Sequence, residues 1–205
     1  MIKYGILGSG EVGQALAAGL RKIGHEVRIG TRDPGQHPGT AGFAEVARWA
    51  EALVLAIPGP AAESVLRESG AEHLRDKLVI DPTNPVGNEP PEDGVLRYTT
   101  GPNSSLMERL QAAFPGARFV KAFNSVDSDL MVDPKLEGGP PTMFICDNDA
   151  EAKATVAKLL EQFGWEPADM GTVKSARALE PLAQLWCIPG FLHNQWTHAF
   201  RLLRG

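Results

Sequence analysis

The chain has 205 residues, a formal charge of −5, 43% hydrophobic and 22% charged residues, a balance that suits one sizeable α/β domain with or without a small addition. The acidic charge, with no basic run and no basic patch interleaved with aromatics, excludes non-specific nucleic-acid binding. No stretch approaches the ~20 apolar residues of a membrane span, and the first residues read as a core strand rather than a signal peptide, so a cytoplasmic protein is expected.

The first predicted strand, Ile2 to Leu7, runs straight into Gly8-Ser9-Gly10-Glu11-Val12-Gly13, and a helix-forming segment follows. Each glycine has a mechanical task in such a turn. Gly8 permits the sharp exit from the strand. Gly10 lets a pyrophosphate approach the backbone. Gly13 lets the helix pack closely on the strand. The helix then turns its free N–H groups and positive dipole end toward the anion. Strand, turn and helix in this order predict dinucleotide binding.

The second predicted strand, His25 to Gly30, ends in Gly30-Thr31-Arg32-Asp33-Pro34. Folds that prefer NAD carry an acidic residue at this tip to bond the ribose hydroxyls. Here a glycine leaves room, the Thr31 hydroxyl can donate to phosphate oxygens, and Arg32 supplies a fixed charge and a planar fork. The tip therefore predicts NADP rather than NAD. Asp33 would oppose that phosphate if turned inward, and Pro34 is expected to hold it extended and directed away.

A helix is expected around Ala41 to Trp49, then a third strand from Ala52 to Ile57, ended by Pro58-Gly59-Pro60, and a helix from Ala61 to Ser69. A fourth strand covers Lys77 to Asp81. Pro82 to Asn103 then holds five prolines in 22 residues with little periodicity. A loop of that length starting at the carboxyl end of a parallel strand reads as a substrate-site loop rather than a disordered one. A helix at Ser104–Phe114 leads to a fifth strand, Ala117 to Phe123, and a sixth strand covers Thr142 to Cys146. A helix from Asp149 to about Phe163 has Asn148 or Asp147 as candidate caps. A short strand near Trp165–Ala168 precedes a long helix from about Ser175 to Leu203, which Pro181 and Pro189 should bend or interrupt.

Near-continuous apolar strands alternating with helices imply an α/β fold: a doubly wound, mostly parallel Rossmann sheet covered on both faces, with a small helical C-terminal segment. The division expected is 1–170 for the NADP-binding domain and 171–205 for the helical segment. That segment carries Leu182, Leu185, Trp186, Phe191, Leu192, Trp196 and Phe200, more apolar surface than a capping helix should expose, so a partner subunit is expected to cover it. Cys146 and Cys187 lie in apolar contexts and read as reduced core thiols of a cytosolic protein. The five histidines show no ligand spacing, and no metal is expected.

Three strand ends face the expected cofactor. Ala56-Ile57-Pro58-Gly59 could lie against its ribose and pyrophosphate. Asn84, after the fourth strand, and Asn124, after the fifth, can each bond a carboxamide as donor and acceptor, although both also suit ordinary turns. No residue stands out as a general acid or base. Lys174 and Lys121 are possible bases, although such lysines are more often surface charges. Hydride transfer between two cofactors needs no such group, because the acceptor ring carries the chemistry and the protein supplies geometry and excludes water.

The stretches GILGSGEVGQALAAGL, RIGTRDP, LAIPG, IDPTNPV, FVKAFNSV, FICDNDAEAK and MGTVKSARALEPL resemble the coenzyme F420-dependent NADP oxidoreductases and the related reductase domains of metalloreductases. The GTR tip and the KAFN segment are the more specific elements. The resemblance implies a homodimer, with NADP held by Ser9, Gly10, Glu11 and Val12 in the glycine turn and by Thr31 and Arg32 at the phosphate. It implies that Ala56, Ile57, Pro58, Asn84, Ala122 and Asn124 surround the nicotinamide half. It also implies an acceptor on the open face of that ring, either the deazaflavin coenzyme F420 or a flavin (FAD or FMN). KAFNSV and TVKSARALE look closer to the metalloreductase domain, which uses an ordinary flavin. Two other functions remain open: reduction of a small carbonyl or imine with Lys174 or His193 as proton donor, and a non-catalytic NADP(H) sensor.

Overall fold

In a computed structural model that describes all 205 residues, strands β1 (Lys3–Leu7), β2 (Glu26–Thr31), β3 (Thr40–Gly42), β4 (Ala52–Leu55), β5 (Leu78–Asp81) and β6 (Arg118–Lys121) form one six-stranded sheet. Its order is β3-β2-β1-β4-β5-β6 and every pairing is parallel. The order reverses between β1 and β4, and ligands bind at the carboxyl ends of strands beside such a reversal.

The strands are apolar throughout because both faces are covered. Tyr4, Ile6, Val54, Ile80 and Val120 join one cluster with Leu16, Ala17 and Leu20 of α1 (Glu11–Lys22) and Val156, Leu160 and Phe163 of the α6 region (Ala150–Gln162). Leu7, Leu53, Leu55, Val79 and Phe119 join the other, against α2 (Phe43–Trp49), α3 (Ala62–Ser69) and α5 (Leu106–Ala113). Neighbouring strand residues alternate between the two clusters, as the period of two requires. A short α4 (Ala71–Leu74) leads into β5.

Several expectations need correction. The segment expected to be helical from Ala41 begins instead with the edge strand β3, and α2 starts at Phe43. The run Thr142–Ile145 (β7) does not join the main sheet as a sixth strand. It pairs in parallel with β8 (Glu166–Asp169) and meets β6 only through one antiparallel bridge, Lys121 to Cys146. The cap of α6 is Asp149, whose carboxylate accepts from the Glu151 and Ala152 N–H groups at 2.9 and 3.0 Å. Asp147, two residues further out than the cap, accepts from Asp149 N–H instead.

The last helix, α7 (Ala176–His193), runs through Pro181 and Pro189 and stops at Asn194, which adopts the left-handed conformation (φ +54°) of a helix C-terminus. The tail then folds back. Trp196 packs over Gly190, where any Cβ would strike the indole. Trp186 Nε1 donates to the His198 carbonyl at 2.9 Å, and Thr142 N donates to the Phe200 carbonyl at 2.9 Å. So the expected helix to Leu203 is ten residues shorter, and part of its apolar surface covers its own chain. Leu185, Phe191 and Leu192 stay exposed. No helix is long and apolar enough to cross a membrane.

Candidate functional site

The crevice lies at the carboxyl ends of β1, β2, β4, β5 and β6, and its floor is the glycine turn. Gly8 has φ +129°, a value that side chains rarely adopt, and a Cβ there would also strike the Ala56 carbonyl. A Cβ on Gly13 would strike the Gly8 carbonyl, so this glycine sets how close α1 lies to β1. Gly10 differs from both. It is exposed, caps α1, and has no atom within 4 Å of where its Cβ would stand. That open space, next to the unpaired N–H groups of the first helical turn, is the cradle an anion needs. Ser9 is half-buried, Val12 half-buried and Glu11 exposed. Glu11 can offer a phosphate only its N–H, because its carboxylate repels one.

At the tip of β2, Thr31 is buried and Arg32 is exposed with no carboxylate partner in the chain. Asp33 is exposed and starts a 3-10 turn over Pro34–Gln36. The room expected beside Gly30 is not there. A Cβ at Gly30 would lie 3.1 Å from Phe43 of α2 and 3.4 Å from the Ile6 carbonyl, so this glycine serves packing. Thr31 and Arg32 are then the residues at this tip that could meet a phosphate.

The end of β4 brings buried Ala56, half-buried Ile57 and exposed Pro58 to the crevice wall. The next residue, Gly59, lies so close to the end of β5 that a Cβ would strike the Asn84 carbonyl. The sequence places Gly59 with Ala56, Ile57 and Pro58 against the expected ribose and pyrophosphate and does not foresee this contact. Its -Pro-Gly-Pro- setting was the signal that a close backbone approach could be present.

Asn84 and Asn124, far apart in sequence, meet here. Asn84 Nδ2 donates to the Asn124 carbonyl at 2.7 Å, and Asn124 Nδ2 donates to Asn84 Oδ1 at 3.1 Å and to the Leu179 carbonyl of α7 at 2.7 Å. Carbonyls only accept, so both amide orientations are fixed by their partners. This arrangement leaves Asn124 Oδ1 as a free acceptor. Ala122 contributes no side chain to the site, being fully buried with its N–H bonded to the Asp81 carbonyl at 3.2 Å; a ligand could meet only its carbonyl oxygen. Between Ala122 and Asn124, Phe123 is buried in the left-handed region at φ +63°, which costs a non-glycine residue about 1–2 kcal/mol.

Beneath the asparagine pair lies a charge cluster that sequence reasoning missed. Lys121, considered above as a base or a surface charge, is neither. Its side chain is fully buried, with Nζ 2.7 Å from Asp81 Oδ2, 3.1 Å from Glu180 Oε1 of α7 and 2.7 Å from the Thr83 carbonyl. The Asp81 Oδ2 approach is an ion-pair contact; Asp81 Oδ1 takes the directed hydrogen bonds, from Thr83 N at 2.9 Å and Thr83 Oγ1 at 2.6 Å. Burial alone would lower the Lys121 pKa, but the charges of Asp81 and Glu180 outweigh it and hold the ammonium above its ordinary value. Glu180 also accepts from Leu106 N and Met107 N at 2.9 Å each, at the N-terminus of α5. A lysine inside the apolar run Phe119-Val120-Lys121-Ala122-Phe123 was the available signal.

The long loop after β5 is ordered against α7. Val86 bridges Tyr98, the Tyr98 hydroxyl donates to the Glu180 carbonyl at 2.9 Å, and Gln184 Nε2 donates to the Leu96 carbonyl at 2.6 Å. Burial pushes the Tyr98 phenol up, which keeps it a donor. A cavity of about 720 Å³ opens between this loop and α7, lined in part by Leu96, Arg97, Tyr98, Pro181 and Gln184. Burial also pushes the Cys146 thiol up to about 12 and Cys187 up to about 11, so neither is a thiolate nucleophile near neutrality.

A Rossmann strand order, a glycine cradle and an arginine at the tip of β2 are together the features of a dinucleotide-binding protein. Residues 3–85 match the family described as NADP oxidoreductase, coenzyme F420-dependent. A solved structure from Arthrobacter sp. FB24, provisionally assigned as an F420-dependent NADP reductase, is 34% identical, with full coverage of both chains and a TM-score of 0.91. The F420-dependent NADP reductase of Methanothermobacter marburgensis is 28% identical over 207 residues, 90% of each chain. Metalloreductase STEAP3 of Rattus norvegicus is 34% identical over 202 residues, 93% of this chain but 39% of its own length. The chain belongs to the coenzyme F420-dependent NADP oxidoreductase family, and it spans about two fifths of the metalloreductases it also resembles.

Proposed function

We propose that this protein moves hydride between NADP(H) and the deazaflavin coenzyme F420. The observation that carries this reading is the state of the ionisable groups at the nicotinamide end of the crevice. Asp81, Lys121 and Glu180 are buried and committed to one another, so none can exchange a proton with a substrate. What faces the crevice instead is amide and backbone chemistry from Ala56, Ile57, Asn84 and Asn124. Such a wall orients a carboxamide and excludes water, and it suits a reaction in which both rings bring their own chemistry.

The roles follow the residues. Backbone N–H groups from Ser9 to Val12 hold the pyrophosphate, Thr31 and Arg32 hold the 2′-phosphate, and Asn124 Oδ1 accepts from the carboxamide. When bound, the coenzyme supplies the hydride. The acceptor occupies the open side of the nicotinamide ring, bounded by the loop 82–104 and α7. A deazaflavin is favoured over FAD or FMN because the coverage of a deazaflavin-dependent relative is near complete in both directions. We place the protein in the cytoplasm, where both coenzymes diffuse freely. The exposed Leu185, Phe191 and Leu192 support a homodimer, for which light scattering should return twice the chain mass.

Reduction of a small carbonyl or imine fits less well. His193 sits at the far end of α7, roughly 20 Å along the helix from the Leu179 contact to Asn124, at 1.5 Å per residue. Lys174 is exposed before the start of α7.

The experiment is NADPH oxidation with a panel of acceptors: coenzyme F420, FMN, FAD, a ferric complex and a cyclic imine. Turnover should appear with the deazaflavin. Tight NADPH binding without turnover on any deazaflavin or flavin would overturn the reading.

A further inference from the structure

We propose that Lys121, Asp81 and Glu180 act as one positioning clamp that fixes the Asn84–Asn124 pair for the nicotinamide carboxamide and ties it to α7. The inference deepens the functional reading above and rests on the crevice holding NADP(H).

The bonds of the cluster reach the ends of β5 and β6, the start of α5, the loop and α7. Lys121 Nζ pins the Thr83 carbonyl, one residue before Asn84, and Asp81 holds the same residue through its N–H and hydroxyl. Lys121 itself ends β6, three residues before Asn124, and the intervening Phe123 is held at a positive φ. Glu180, on the far side of the ammonium, adjoins Leu179, whose carbonyl takes the Asn124 amide. Its carboxylate also caps α5, and its own carbonyl takes the Tyr98 hydroxyl. One buried ammonium thus sets the relative places of the two strand ends, the start of α5, the loop and α7.

A purely structural core has little use for such a cluster. Burying three charges is costly, and apolar replacements of similar volume are often as stable or more so. What apolar packing cannot supply is a directed arrangement. If the turn at Thr83 slips or α7 shifts, Asn124 Nδ2 loses one of its two acceptors, and its amide is free to rotate. The carboxamide would then meet a donor where it needs an acceptor.

The test separates the two halves of the coenzyme. NADPH needs both halves of the crevice, whereas adenosine 2′,5′-bisphosphate needs only the glycine turn and the tip of β2. Lys121→Met alone would strand two buried carboxylates, so the variants are Lys121→Met/Asp81→Asn and Glu180→Gln. The double variant removes one positive and one negative charge together and leaves Glu180 on its two N–H groups. Glu180→Gln turns an amide N–H toward Leu106 N–H or toward the ammonium. Dissociation constants for both probes are measured by titration calorimetry on the full chain. In both variants the bisphosphate should bind as it does to wild type, while NADPH binds about tenfold more weakly or worse, the loss of roughly one well-directed hydrogen bond. Unchanged NADPH binding overturns the clamp. So does an equal loss of both probes, which would mark a structural cluster and nothing more. A wild-type chain that binds neither probe removes the coenzyme reading itself, and the clamp falls with it.

Discussion

Asn84 and Asn124 hold each other through two hydrogen bonds in opposite directions, and Asn124 adds a third to the backbone of α7. The pair joins the ends of two adjacent strands to the last helix. Asn124→Asp has the same shape but cannot donate, so a carboxylate would face the Leu179 carbonyl and Asn84 Oδ1. We expect kcat with the deazaflavin to fall about tenfold or more, since an unpaired polar contact in a buried site costs about 1–3 kcal/mol. Steady-state kinetics with NADPH saturating measures this directly.

The glycine turn yields a paired prediction. Gly13→Ala drives a Cβ into the Gly8 carbonyl and should cost about 1–3 kcal/mol of stability, as overpacking does. Gly10→Ala meets open space and should leave thermal stability unchanged. Its cost falls on the coenzyme: the methyl fills the cradle, and NADPH affinity should drop by about tenfold or more. Urea unfolding and NADPH titration of the two variants should therefore rank them in opposite orders.

Arg32 is exposed and unpaired in the chain, so its removal should cost little stability. A charge-assisted bond to phosphate is worth about 1.5–3 kcal/mol, or roughly tenfold to a hundredfold in affinity. Arg32→Ala should weaken NADPH by that factor and leave NADH nearly unchanged. Competition between the two nucleotides reads the ratio.

A pH effect on stability follows from Glu108. Its carboxylate is held below the usual range by bonds from Arg177 at 2.7, 2.9 and 3.1 Å and from the Ser105 hydroxyl at 2.8 Å. A depressed acid stabilises the fold above its unfolded pKa, and that contribution disappears as pH falls through the folded value. Asp149, held down by the α6 N–H groups it caps, acts with the same sign. Stability should therefore decline from about pH 5 downward. Glu108→Gln should be less stable than wild type at pH 7 and closer to it at pH 3, as urea midpoints at the two values would show.

Much of this was legible in the chain because local rules agree with the fold. The strand-turn-helix at residues 2–13 has one mechanical solution, in which Gly8 and Gly13 stand where a side chain would strike backbone. Continuous apolar runs read correctly as a sheet covered on both faces. The misreadings arise where tertiary contacts decide. Thr40–Gly42 is too short to show a period and becomes a strand only because β2 offers an edge. Gly30 looked like space for a phosphate, but Phe43 fills it, and no local pattern reports which helix side chain lands on a strand tip. α7 ends at the left-handed Asn194, and the indole of Trp196 packs back on Gly190, a contact that the apolar periodicity of the tail concealed. Lys121 and Glu180 are 59 residues apart, and nothing in either neighbourhood announces the other.

Isotope transfer bears most directly on the proposed chemistry. NADPH carrying deuterium at both C4 positions is mixed with oxidised coenzyme F420 and the protein in ordinary water, and the reduced deazaflavin is examined by mass spectrometry and NMR. Direct passage between two rings held face to face predicts one deuterium at C5 of the product, with no wash-out to solvent. A product carrying only protium at C5, or no reduced deazaflavin while NADPH remains bound, would contradict it.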